Sequence, residues 1–129
     1  MISKGLIEGI FQAASIQRWN DHVRPMEFAE IDKQAHKMIL AFTIAKFQEE
    51  EKHGCVNWRL LIEGGIIELL HRVIVTDIKP PIFHKIMKEK GRELNEWVFE
   101  QLQDDIGSVK GNFRDTFQRY LFDDNFAVF

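Results

Sequence analysis

The chain has 129 residues, 45% of them hydrophobic and 29% charged, and a formal net charge of -3. This length supports one domain with a hydrophobic core of its own. The negative charge gives no general attraction to nucleic acid or anionic membranes, so neither is expected as a partner. The single cysteine, Cys55, excludes an internal disulfide bond. Because the sequence has no long apolar run and no signal-peptide layout, we expect a cytoplasmic protein.

The N-terminal segment predicts a helix followed by a linker. Apolar residues recur at three- and four-residue intervals from Lys4 to Ala14, which is the helical period, and Ser3 is a suitable N-cap. The polar and aromatic sequence IQRWNDHVRP follows and ends at Pro25. This segment is therefore expected to connect the first helix to the second.

The second predicted helix begins near Asp32 and ends at Gly54, since glycine is a common helix stop. Its expected inward face is a stripe of four residues, Ile39, Leu40, Thr43 and Phe47. His36 shares that face, so its imidazole is expected to point into the domain. An inward histidine there is either a core residue bonded to a carbonyl or a metal ligand.

Four more helices are predicted in the C-terminal half. Asn57 can cap the third, WRLLIEGGIIELLHRVIV, and Pro80-Pro81 opens a short fourth, IFHKIMKEK. Gly91 separates it from a fifth, ELNEWVFEQLQDDI, and Asn112 can cap a sixth that runs to Phe122. The piece RVIVTD has β-branched content but stands alone among helices. The sequence thus predicts an all-α bundle of about six helices in a single domain, residues 1–129.

Motifs for common catalytic and metal chemistry are absent from the sequence, including HExxH, GxSxG, Walker A and GxGxxG. Two carboxylates remain as candidates. Asp77 follows an apolar run and precedes two prolines, so it is either a turn residue or a partner of His36 in binding a metal. Glu68 lies in the third predicted helix, where it is either a solvated residue or part of a site.

Three segments, in their order along the chain, resemble the HD-domain phosphohydrolases. Within that superfamily the resemblance is to the 5'-deoxynucleotidase-like branch. They are IQRW, then a histidine entering an apolar helix, then LLIEGGIIELL followed by TDIKPP. The resemblance covers roughly residues 5 to 105. It implies that Arg18 and Trp19 contribute to a nucleotide pocket. It further implies that His36 is the first metal ligand, with Asp32 an alternative at that position, and that Asp77 is another ligand.

The same resemblance places Gly64 and Gly65 where the family carries its His-Asp doublet, the central pair of metal ligands. Glycine supplies no ligand atom, and each glycine inside a helix costs about 1 kcal/mol relative to alanine. We hypothesise that the missing side chains let a neighbouring helix approach and fill the space beside them. The family's last aspartate ligand falls beyond LFDDNFAVF, which implies a C-terminally shortened domain.

These features favour a degenerate HD-fold protein that is impaired in catalysis. Arg18 is expected to bind a phosphate bidentately and Trp19 to stack on a base or sugar, so that nucleotide or phosphate binding is retained. The alternative is an active, metal-dependent nucleoside monophosphate phosphohydrolase with a non-standard ligand set. In that case His36 and Asp77 hold a divalent Mn, Co, Fe or Mg ion and Glu68 is the catalytic carboxylate.

Two further possibilities complete the predictions. His71 or His84 is a candidate additional ligand for the active enzyme. A third function is purely structural, with no ligand and a homodimer as the working form. Three phenylalanines near the C-terminus favour such a partner surface: Phe122, Phe126 and Phe129. Exposed aromatic side chains are unfavourable in water unless the chain itself or a partner covers them.

Overall fold

The computed structural model describes residues 3–17, 29–52, 54–76, 78–107 and 112–123. These residues form five α-helices and one 3-10 turn: α1 (Lys4–Gln12), the 3-10 turn (Ala13–Ser15), α2 (Glu30–Lys52), α3 (Trp58–Ile74), α4 (Pro80–Gly107) and α5 (Phe113–Phe122). These ranges contain no strand, and a single antiparallel bridge pairs Gln17 with Ala29. The predicted all-α bundle is therefore confirmed. Within the same ranges, none of the helices has the combination of length and apolarity that crossing a bilayer requires.

The predicted count of six helices is not confirmed, because the fourth and fifth form one kinked helix, α4. The backbone of Lys90 leaves helical geometry, with φ -141° and ψ 33°, and helical structure resumes after it. This kink lies one residue before Gly91, where the sequence predicted a break. The interruption was therefore placed within one residue of the observed kink, which divides α4 into two helical halves.

The predicted N-caps of α1 and α3 are confirmed by their hydrogen bonds. Ser3 Oγ accepts a hydrogen bond from the backbone N–H of Leu6 at 3.2 Å, and Asn57 Oδ1 accepts one from that of Leu60 at 3.0 Å. Asn112 precedes α5, but its side chain makes no capping hydrogen bond. Each satisfied cap stabilises its helix end by about 1 kcal/mol.

The hydrophobic core joins α1, α3, α4 and α5. Its buried residues are Leu6, Ile67, Leu70, Val75, Val98, Leu102, Phe113, Phe117 and Leu121. The apolar face of α3 lies in this core, whereas the face that carries Gly65 and Glu68 contacts α2. The core therefore fixes the position of α3, and α2 packs against α3.

The predicted inward stripe of α2 is wrong. Ile39, Leu40, Thr43 and Phe47 are all exposed. The buried positions of α2 are instead Glu30, Gln34 and Ala45. Apolar residues surround most of this helix, so hydrophobicity alone did not select one face. The buried face is the one whose polar side chains find partners on α3, since buried polar groups must be hydrogen-bonded.

Helices α2 and α3 approach each other closely at Gly65. A Cβ atom at this position would overlap the Met38 sulfur and lie 2.8 Å from Met38 Cε. Gln34 Nε2 donates a hydrogen bond to the Gly65 carbonyl at 2.8 Å. Gly64 is buried beside it. A side chain of the neighbouring helix thus fills the space beside Gly65, as hypothesised from the sequence.

Candidate functional site

A polar cavity of about 500 Å³ lies between α2, α3, α4 and α5. This volume falls within the range of about 300 to 1,000 Å³ that is usual for small-molecule sites. Thirteen residues line it: Glu30, Lys33, Gln34, Glu68, His71, Arg72, Val75, Phe83, His84, Met87, Asn95, Tyr120 and Leu121. Charged and hydrogen-bonding groups from four helices therefore converge on one cavity.

Glu30 is a buried charged residue that contacts two cations at one wall of this cavity. It is only 1% exposed, because its backbone N–H donates to the Ile16 carbonyl at 2.9 Å and so fixes the start of α2 against the 3-10 turn. Its carboxylate accepts a hydrogen bond from Lys33 Nζ at 3.2 Å and lies 3.9 Å from Arg72 Nε. A buried carboxylate without cations nearby would be strongly unfavourable, so these two cations contribute to making its burial possible.

Arg72 is held at the cavity wall with part of its hydrogen-bonding capacity unused. Its Nε atom is buried and has no hydrogen-bond partner among the residues that the structure describes. Glu30 attracts it, but the distance of 3.9 Å is too long for a hydrogen bond. The Arg72 side chain therefore brings a positive charge and an unsatisfied, buried donor to the wall of the cavity.

Glu68 forms a second ion pair on the same wall. Lys37 Nζ lies 2.6 Å from its Oε1 and 2.7 Å from its Oε2. Gln34 Nε2 lies 3.5 Å from Glu68 Oε2, a weak contact beside its main bond to the Gly65 carbonyl. The carboxylate of Glu68 is therefore occupied by a cation of α2.

Hydrogen bonds define the tautomer of His71. Asn95 Nδ2 donates to the Leu121 carbonyl at 2.8 Å, which leaves Asn95 Oδ1 as an acceptor. His71 Nε2 lies 3.3 Å from that oxygen and must carry the hydrogen. Burial lowers the pKa of His71 below its ordinary value of 6.5, although the Asn95 hydrogen bond opposes this shift. His71 is therefore neutral near pH 7, with its Nδ1 lone pair unprotonated.

We expect the lowered pKa of His71 to make the protein less stable in mildly acidic solution. Well above pH 6.5, the ordinary pKa, both folded and unfolded chains carry neutral His71, so it contributes no pH dependence there. As the pH falls through 6.5, the unfolded chain binds the proton first, and the free energy of unfolding decreases until the folded chain also titrates. Urea denaturation between about pH 8 and pH 5 measures this decrease.

Two variants separate this effect from general acid sensitivity. His71→Gln should reduce the loss of stability below pH 6.5, because glutamine does not titrate. His84→Gln is the control for removing a histidine, since His84 is exposed on α4, and its profile is the reference for His71→Gln. Identical pH profiles for wild type and His71→Gln would contradict the assignment.

The structure separates the residues that the resemblance joined. His36 is exposed on α2, where its Nδ1 donates to the Asp32 carbonyl at 2.9 Å, so the expectation that its imidazole points inward is wrong. It is not among the residues of the cavity, whereas Glu68, His71 and His84 are. Three predicted site residues lie outside the described residues: Arg18, Trp19 and Asp77.

The described residues do not fit the metal centre that the resemblance implies. Within the described ranges, no three histidine, cysteine, aspartate or glutamate side chains are close enough to hold a metal ion. Glu68 is bound by Lys37, and His36 is bonded to a carbonyl of its own helix. A divalent ion needs several oxygen or nitrogen ligands that converge on one point.

Sequence reasoning missed the residues that build the cavity wall, above all Glu30, Lys33 and Arg72. One signal for them exists in the sequence. Polar residues interrupt the apolar pattern of α2 at Glu30, Gln34 and Lys37, and that of α3 at Glu68 and Arg72, at spacings of three and four. Such stripes indicate a polar contact between two helices, because residues at these spacings share one helix face.

Comparisons of this chain with protein-family models, with curated proteins and with solved structures found no match. The resemblance to HD-domain phosphohydrolases therefore stays a prediction. The cavity and its charged wall are the observations from which a function can be argued.

Proposed function

We propose that this protein is a cytoplasmic, ligand-binding helical domain whose cavity takes a small phosphate-bearing molecule such as a nucleotide. We further propose that it is a degenerate relative of the HD-domain phosphohydrolases, impaired in hydrolysis. The observation that carries the proposal is the buried carboxylate of Glu30, which holds Lys33 and Arg72 at the cavity wall. A pair of cations on the wall of a cavity is suited to bind an anion.

The charges around the cavity favour an anionic ligand. Two cations, Lys33 and Arg72, and two carboxylates, Glu30 and Glu68, line the cavity. Lys37 binds Glu68 from outside the lining, so Lys33 and Arg72 share a single carboxylate, Glu30. Arginine binds phosphate oxygens through a planar fork of N–H donors. Arg72 also has a buried Nε donor without a hydrogen-bond partner among the described residues. A phosphate at this wall would place its oxygens beside the Arg72 guanidinium.

The remaining cavity residues suit the organic part of a nucleotide. Phe83 and Tyr120 contribute aromatic surface to the lining, and aromatic side chains stack readily on bases. Gln17 is paired with Ala29, which directly precedes Glu30 at the cavity. The chain therefore enters and leaves its 18–28 segment at the edge of the cavity. We propose Arg18 and Trp19 as further ligand contacts, as the resemblance implies.

Two contacts support impaired catalysis. Metal-assisted hydrolysis of a phosphate ester requires a divalent ion that generates hydroxide near neutral pH. Met38 fills the space beside Gly65, one of the two positions aligned with the family's metal-binding doublet. Lys37 occupies the carboxylate of Glu68, the predicted catalytic residue. Binding without hydrolysis is the function that these contacts favour.

We expect a nucleoside monophosphate to bind and raise the melting temperature, and Lys33→Gln to weaken that binding at least about tenfold, or roughly 1.4 kcal/mol. Lys33 is partly exposed, so the substitution removes a charge without opening the core. Isothermal titration calorimetry with deoxyadenosine monophosphate and with inorganic phosphate measures the effect. Lys46→Gln is the matched control, because Lys46 pairs with Glu49 away from the cavity, and it should bind as wild type does.

Two outcomes would overturn the proposal. Absence of any heat or melting-temperature change with millimolar phosphate and nucleotide would exclude the ligand class. Release of phosphate from the nucleotide in the presence of Mn²⁺ or Co²⁺, lost in Glu68→Gln, would favour the active enzyme.

A further inference from the structure

The outward side of α2 is an extended apolar surface. Five of its large hydrophobic side chains are between 52% and 64% exposed: Ile39, Leu40, Phe42, Ile44 and Phe47. A surface helix normally buries its apolar side and exposes its polar side. Here the polar residues Glu30 and Gln34 are buried, and the hydrophobic ones face outward. Exposed apolar surface of this extent is typical of an interaction site.

A groove between α2 and α3 extends this surface. It has a volume of about 510 Å³, and its walls include Leu40 and Ile44 from α2 and Leu60 and Leu61 from α3. It shares no residue with the polar cavity. The two sites are therefore separate, and a partner on this surface would leave the cavity open.

We propose that α2 packs antiparallel against α2 of a second copy of this chain, with Thr43 close to the two-fold axis. The residues along the outward side follow the spacing of a coiled-coil seam. Five exposed residues form this seam, at intervals of four, three, four and three residues: His36, Leu40, Thr43, Phe47 and Glu50. This alternation keeps one seam facing a partner helix.

Complementary polar side chains at the two ends of the seam select the second copy and its direction, because an imidazole N–H can donate a hydrogen bond to a carboxylate. In an antiparallel pair centred on Thr43, His36 lies opposite the partner's Glu50, and Ile39 lies opposite the partner's Phe47. The symmetry repeats each contact twice, as an isologous interface requires. A parallel pair would instead set Glu50 against the partner's Glu50, where like charges repel. Antiparallel pairing also places the helix dipoles in their favourable arrangement.

The area available is sufficient for a stable dimer. A large hydrophobic side chain presents on the order of 150 to 200 Å² when fully exposed, so five that are about half exposed offer on the order of 500 Å² per copy. Two copies thus bury on the order of 1,000 Å², the lower bound for a specific interface. Leu60 and Leu61 in the groove add to this area.

Analytical ultracentrifugation tests the assembly directly. The wild type is expected to be a dimer at tens of micromolar, and Leu40→Glu and Ile44→Glu each to weaken dimerisation at least about 100-fold, since each change enters the interface twice. Phe11→Glu is the matched control, because Phe11 is 66% exposed on α1, and it should remain dimeric. Circular dichroism should show equal helix content in all three variants, because each substituted side chain is exposed.

Register and direction have their own test. His36→Glu should weaken the dimer by placing a carboxylate opposite the partner's Glu50, and adding Glu50→Lys in the same chain should restore it. Thr43→Cys, in a Cys55→Ser background that removes the exposed native thiol, should form an intermolecular disulfide on mild oxidation. Gln103→Cys in the same background, on the exposed surface of α4, should not.

Any of three results would overturn the proposal. The first is a monomeric wild type at about 100 μM, a concentration above the dissociation constant of most specific dimers. The others are a dimer that Leu40→Glu does not weaken and a Thr43→Cys protein that does not cross-link. A monomeric wild type that self-associates only when residues 124–129 are removed would assign the surface to the chain's own C-terminal segment. Lys33→Gln should leave dimerisation unchanged, so failure of the ligand proposal and failure of the dimer proposal are distinguishable.

Discussion

Replacing Glu30 with alanine should destabilise the protein by about 3 kcal/mol, because it leaves the cations at the cavity wall without their carboxylate. Glu30 is only 1% exposed and is the shared partner of Lys33 and Arg72. The cost should be largest at Arg72, because its Nε is buried and would lose the negative charge beside it. Urea denaturation near pH 7 measures the free energy of unfolding for the comparison.

The matched control for this substitution is Glu8→Ala. Glu8 also pairs with a lysine, Lys4 at 3.4 Å, but both side chains are largely exposed, and such pairs contribute less than about 1 kcal/mol. Glu30→Gln separates charge from shape, because glutamine keeps an oxygen for Lys33 but removes the negative charge. Equal stabilities of Glu30→Ala and Glu8→Ala would show that Glu30 does not anchor the wall.

Helix positions were predictable from the sequence where local chemistry determines them. The side chains of Ser3 and Asn57 cap helices by bonding to amides three residues further along the chain, so no knowledge of the fold is needed. The break near Gly91 was placed within one residue of the kink at Lys90. Whether that break ends a helix depends on the packing of both halves of α4, which the local sequence does not encode.

The orientation of α2 could not be predicted from hydrophobicity. Its apolar residues surround the helix, and the buried side is decided by which polar groups find partners on α3. Glu30 meets Arg72, and Lys37 meets Glu68, across a register that only the folded pair of helices defines. Reasoning from the sequence therefore identified Glu68 as a site residue and missed Glu30.

The glycine pair was an informative local feature of the sequence, and the structure explains one of the two glycines, Gly65. The sequence showed that a buried helix tolerates two costly residues. The structure shows that Gly65 admits the Met38 side chain and leaves its own carbonyl accessible to Gln34. The Met38 contact needs a backbone without a Cβ in the way, so close packing accounts for glycine at this position.

Replacing Gly65 with leucine should therefore destabilise the protein by about 1 to 3 kcal/mol, the usual cost of overpacking a well-filled contact. The added Cβ would overlap the Met38 sulfur, so the Met38 side chain must leave its place, and the rest of the leucine side chain must fit into a contact that is already filled. The expected signature is a coupling with Met38. Met38→Ala removes the obstructing atoms, so Gly65→Leu should cost much less in that background, with a coupling energy of about 1 kcal/mol or more.

Gly91→Leu is the matched control for this double-mutant cycle. A Cβ at Gly91 would meet the nearest atom, Met87 Cε, at the ordinary contact distance of 3.5 Å. The substitution should be neutral or stabilising by up to about 1 kcal/mol, because leucine favours helix more than glycine does. Strictly additive costs of Gly65→Leu and Met38→Ala would contradict the packing argument. A strong coupling would show that the space beside Gly65 is already filled by α2, and so support binding without metal-assisted hydrolysis.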